Sequence, residues 1–270
     1  MLSGEDKRIT ELTSQESSGV LVLERVTSIA ARMELLAYRT TYDPAKRTGE
    51  IAINTSLFSR DEFGVALTAM KEAFKAGFCV SELVAVAYEG ESLGELAVPS
   101  GKVGLATVSS VAVSGVLLKA GVPLDSRFGG LLQYRNSKPL RFIELIEYAG
   151  CSLPPAEIFV ASRMTGVAGV TGSGEGRILA HFREIPSACR SVTQNIFKKL
   201  SNAGIGGVIV MGKPNETVCE MPVGLNKTGL VLQSGLNPVA AAVEAGIEVV
   251  NFAMSGLIDY NRLRHFETYV

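Results

Sequence analysis

An α+β fold made of two similar lobes in tandem is predicted by three observations. Glycines, serines and tyrosines recur at a near-constant spacing, apolar runs follow the same order in both copies, and 270 residues suffice for two small cores. Gly49 of "GEIAIN" lies 127 positions before Gly176 of "GRILAH", and Gly77, closing "KAG", lies 127 before Gly204, closing "NAG". Lys102, Gly104 and Leu105 ("KVGL") recur 125 positions later as Lys227, Gly229 and Leu230 ("KTGL"), and Ser109 and Ala120–Gly121 recur likewise as Ser234 and Ala245–Gly246. "GGLLQY" and "SGLIDY" end in Tyr134 and Tyr260, 126 apart. Drifts of one or two residues are what loop-length changes in a duplicated unit produce.

Each copy is then read in order. Residues 49–58 form a strand, and 59–77 a helix with Ser59 as N-cap, Asp61 and Glu62 in the first turn and Gly77 at its end. Val65, Ala69, Met70 and Ala73 give that helix an apolar stripe, matched in the second copy by Val192, Ile196, Phe197 and Leu200. Strands over 82–90 and 102–108, a helix over 110–120 and a strand over 129–135 complete the unit. The second copy follows with 176–185, 187–203, 206–211, 227–233, 237–245 and 255–260. The order β-α-β-β-α-β is the ferredoxin-like arrangement. Upstream of each unit stands a further strand and helix: "GVLVLER" (19–25) before a helix holding Arg32–Met33, and "RFIELIEYAG" (141–150) before one holding Arg163–Met164. Residues 1–18 read as a tail or linker, 19–139 as the first lobe and 140–270 as the second, with a cleft between the lobes.

Composition bounds the function. With 47% hydrophobic residues, 7% aromatic and no Trp, the core is aliphatic; a formal charge of −1 supplies no basic field for direct DNA binding by this chain alone. Four scattered cysteines and two histidines make neither a disulfide framework nor a metal set, which suits a reducing cytoplasm. The uncharged runs 103–118 and 228–243 fall short of the ~20 residues a spanning helix needs, and the acidic N-terminus is no signal peptide. There is no Walker loop, no GxGxxG and no nucleophile–base pair, so an enzyme is not indicated. In "HFREIP" strand alternation puts His181 and Arg183 on one side and Glu184 on the other.

The candidate ligand-binding residues sit where a buried strand gives way to a helix. Ser109 and Ser234 cap those helices, and with Ser110 and Gly235 beside them the exposed N–H groups form an anion site. Asn237, next to Pro238 in the first turn, offers a free side-chain amide. Arg127 in "SRFGG" provides a guanidinium for a carboxylate, with Gly129 and Gly130 allowing close backbone approach or marking a bulge. Each also has an ordinary structural role: caps, a solvated arginine, a packed strand.

The segments "AYRTTYDP" (37–44), "LLKAGVPLDSRFGG" (117–130), "FREIP" (182–186), "AGIGGVIVMGKPNE" (203–216) and "GLNPVAAAVEAGIEV" (235–249) strongly resemble the NrpR domain of archaeal nitrogen-regulation repressors, over about residues 19 to 262. The resemblance implies a cytoplasmic transcription regulator that binds 2-oxoglutarate as effector, with no cofactor or metal, and releases its operator when the ligand binds. Such proteins usually begin with a winged helix. Here only 18 polar residues precede the first strand, too few for a helix-turn-helix. DNA contact would then belong to a missing part or a DNA-binding paralogue, unless this relative senses without repressing. Uncovered sheet edges and symmetric operators fit a homodimer. The alternatives are an enzyme acting on a small carboxylate and a purely structural interaction domain.

Overall fold

Helix α1 (Ile29–Arg39) opens residues 28–270, the part of the chain that the computed structural model describes. The matched strand at 19–25 and the tail at 1–18 lie outside these residues. The first unit runs β1 (Glu50–Ser59), α2 (Phe63–Lys75), β2 (Leu83–Tyr88), a small hairpin β3 (Ser92–Leu93) and β4 (Leu96–Ala97), β5 (Lys102–Val108), α3 (Ser110–Lys119) and β6 (Asp125–Arg135). Strand β7 (Lys138–Glu147) and two short helices, α4 (Pro155–Ala161) and α5 (Val167–Ser173), lead to the second unit. That unit runs β8 (Gly176–Pro186), α6 (Arg190–Asn202), β9 (Val208–Pro214), β10 (Lys227–Gln233), α7 (Asn237–Glu244) and β11 (Val249–Asp259); β12 (Arg264–His265) follows.

The α+β class and the order of elements match the sequence expectation, but the units do not close on themselves. One antiparallel sheet has the order β11-β1-β5-β2-β12 and the other β7-β6-β8-β10-β9. Each unit hands its closing strand to the other: β6 lies on β8, and β11 on β1. The physical reason is the duplication itself. Two similar first strands offer two similar docking edges, and face alternation along β6 or β11 is satisfied equally on either. The division after residue 139 falls within β7, so it separates stretches of chain and not sheets.

Other local expectations are corrected by packing. Helix α2 begins at Phe63 with Glu62 at its cap position, because Ser59 still belongs to β1; Gly77 lies one position beyond the Ala76 C-cap, at φ 72°. Its buried face is Phe63, Ala66, Leu67, Met70, Ala73 and Phe74, while Val65 faces solvent. In α6 the buried residues are Thr193, Ile196 and Leu200, and Val192 is exposed. Met70 and Ala73 in α2, and Ile196 and Leu200 in α6, are buried as the stripes predict, whereas Val65 and Val192 lie at the solvent edge of those faces. Arg163 and Met164 are not helical: they join α4 to α5, with Arg163 at φ 52°.

Candidate functional site

The exchange of closing strands brings the two strand-to-helix corners together. Ser109 leaves β5 in an extended conformation, and its Oγ accepts from Val111 N–H at 3.3 Å, capping α3. Ser234 leaves β10 and its Oγ accepts from Leu236 N–H at 3.2 Å, in the turn before α7. Both serines, with Ser110, Gly235 and Asn54, line one cavity of about 30 Å³ whose opposite wall includes Tyr148 and His181. Among the described residues no acidic side chain lines it. A side chain at Gly235 would overlap the Val108 carbonyl oxygen and come within 2.8 Å of Asn54 Nδ2, so only glycine lets the corners meet. Four of the eight residues singled out from sequence therefore converge: Ser109, Ser110, Ser234 and Gly235.

The other four do structural work. Asn237 is fully buried, its Oδ1 accepting from Leu179 N–H (2.8 Å) and its Nδ2 donating to Leu179 C=O (3.1 Å), which locks α7 onto β8. Arg127 is held by Glu184 at 3.0 Å, away from the corners. Gly129 leaves space for Tyr148 Oη, which a Cβ would approach to 2.8 Å, and Gly130 lets the Glu144 carbonyl come close at the β6–β7 irregularity. Among the described residues no group of His, Cys, Asp and Glu could hold a metal ion, and no helix is long and apolar enough to cross a membrane.

Three residues outside the predicted ligand set, of which the sequence marks His181 and Arg183 only for their shared strand face, stand beside the corners. Tyr148 Oη and His181 Nδ1 are 2.6 Å apart. Burial, and then the charge of Arg183, push His181 down to about 3, so its ring is neutral at pH 7, while burial pushes the Tyr148 phenol up. The pair is uncharged, and both of its residues line the cavity. Arg183 is completely buried; Nη2 donates to Ser110 Oγ at 3.0 Å, and Nη1 to Ser110 C=O at 3.2 Å and to Ser114 Oγ. Burial lowers it to about 10, so it remains charged. Alternation along β8 did place His181 and Arg183 on one side; what the sequence lacked was α3 opposite them.

On the other side of β8, Glu184 accepts from Gly224 N–H (2.6 Å), Lys227 Nζ (3.0 Å) and Arg127 Nη1 (3.0 Å). Burial alone would raise its carboxyl; the Gly224 N–H and the two cations outweigh that and hold it below 4.5. A depressed folded value means stability that is present above 4.5 and lost as the pH falls through the lower folded value. Glu184→Gln is expected to cost about 1–2 kcal/mol at pH 7, with the deficit closing toward pH 3, as urea denaturation at several pH values will show.

Residues 26–265 match the family model for the NrpR regulatory domains NRD1 and 2. The chain is 37% identical over 258 residues to the global nitrogen regulator NrpRI of Methanosarcina mazei, covering 96% of this chain and 79% of that protein. It is 26% identical to the global nitrogen regulators NrpR of Methanocaldococcus jannaschii and Methanococcus maripaludis, over 90% of this chain but only 41% of theirs. The crystal structure of a nitrogen repressor-like protein from Methanococcus jannaschii superposes with a TM-score of 0.75 at 25% identity, covering 90% of this chain and all of that one. With two intertwined antiparallel sheets, corners facing across one cavity and a family match over nearly its whole length, this chain belongs to the family of NrpR regulatory domains.

Proposed function

We propose that this chain is the effector-sensing part of a cytoplasmic repressor of nitrogen assimilation, in which 2-oxoglutarate binds between the two corners and relieves repression. The observation that carries this reading is the cavity itself. Two helix N-terminal corners from the two repeats, with Ser109, Ser110 and Ser234, line it, and among the described residues no acidic side chain does. Helix N-termini favour anions, and a dianion engages one with each end.

The size of the cavity supplies the regulatory step. About 30 Å³ is room for about one water molecule, whereas ligand sites run to ~300 Å³ and above. A five-carbon diacid fits only if the corners part, so the ligand selects an opened arrangement and shifts the population toward it. The operator would sense that change through a DNA-binding segment or a DNA-binding paralogue, with the regulator acting as a homodimer or with that partner. A formal charge of −1 leaves this chain alone no basic field for DNA. Calorimetric titration with 2-oxoglutarate is expected to give saturable heat. Absence of heat at millimolar ligand would falsify the effector role.

A further inference from the structure

Among the described residues Arg183 is the fully buried cation, and no carboxylate lies within ion-pair distance of it. Among the described residues its partners are Ser110 and Ser114 on α3, and its Nε has no hydrogen-bond partner there. A buried charge satisfied by hydroxyls and a carbonyl is an expensive arrangement for stability alone, since an apolar side chain of similar volume commonly serves as well or better.

The position of its partners points to the purpose. Ser110 lines the cavity between the corners, while Ser114 lines a separate groove of about 740 Å³ along α1. Met33 of α1, itself nearly buried, lines both, so the two spaces approach each other at its side chain. Arg183 thus reaches the hydroxyls of both. The charged groups along the groove are largely answered already: Asp125 and Glu184 are bonded to Lys227, and Glu184 also to Arg127, leaving Glu34 toward solvent.

We propose that Arg183 is the carboxylate anchor of the effector site and that the ligand reaches it from the α1 groove past Met33; this rests on the effector reading above. In the closed form Ser110 and Ser114 hold the guanidinium in place. An entering carboxylate replaces them with charge-assisted, bidentate bonds, and Tyr148, His181 and the two corners line the space for the rest of a short keto diacid.

The test is calorimetric titration of 2-oxoglutarate into the full chain and its Arg183→Met variant, with thermal unfolding of both. Arg183→Met is expected to keep or raise the melting temperature while weakening binding about 100-fold, the loss typical of removing one partner from a buried charged contact. If the unchanged chain gives no heat, the effector reading falls with this one. If it binds and folded Arg183→Met binds equally well, the anchor is overturned and the effector reading stands. Should Arg183→Met not fold, Ser114→Ala decides: freeing a guanidinium nitrogen from its competitor should tighten binding several-fold, and unchanged or weaker binding overturns the anchor.

Discussion

Gly235→Ala is expected to lower stability by about 3 kcal/mol or more, a fall in melting temperature of roughly 6–12 °C for a chain of this size. The added methyl would overlap the Val108 carbonyl oxygen, which is backbone and closes β5, and would press on Asn54 Nδ2 at 2.8 Å. Neither can swing away. Asn54 is held by Thr107 Oγ1 and by Met254 N–H, so the strain spreads into β1, β5 and β11 together. Differential scanning calorimetry checks the size of the loss. The companion Gly64→Ala on the open side of α2, where a Cβ meets nothing, is expected to be stabilising by up to about 1 kcal/mol. Equal behaviour of the two variants would mean that the corners are not in contact in solution.

Asn237→Ala is expected to cost about 2–3 kcal/mol, because it leaves a buried N–H of Leu179 without its acceptor. The Leu179 carbonyl keeps a donor, Ser234 N–H at 3.0 Å, so the loss falls mainly on one group. Urea denaturation should show a lower midpoint with an unchanged slope. In the folded fraction, affinity for 2-oxoglutarate should stay as it was, since neither amide atom reaches the cavity. A variant that keeps full stability but loses binding would overturn this structural assignment and restore Asn237 as a ligand residue.

The contrast between Asn237 and Arg183 shows which part of the site was legible beforehand. The sequence offers Asn237 as a ligand residue and Arg183 only as part of a strand, whereas the structure bonds the Asn237 amide to Leu179 and buries Arg183 against Ser110 and Ser114. Asn237 sits beside a proline in a first helical turn, a position that often presents a side chain outward, but the fold turns it onto Leu179. Arg183 read as one half of a strand alternation, and its meaning depends on Ser110 and Ser114, some 70 residues earlier in the chain. Arg127 reads as a residue just before a strand over 129–135, but the strand begins at Asp125 and its pairing with β8 brings Glu184 to the guanidinium. Tyr148 carried no local signal; its Oη occupies the space that the missing side chain of Gly129 leaves.

By itself, the sequence determined the duplication, the strand and helix order, the α+β class, the family and the pair of serine corners. These are written in short-range periodicity and in residues such as glycine and serine whose backbone demands are local. Only the tertiary structure decided that β6 and β11 change places, that the corners therefore share one cavity, and that a fully buried arginine stands behind it. The reason is that a strand's own pattern states which face is buried, whereas its neighbour is chosen by long-range packing between two edges that the duplication made alike.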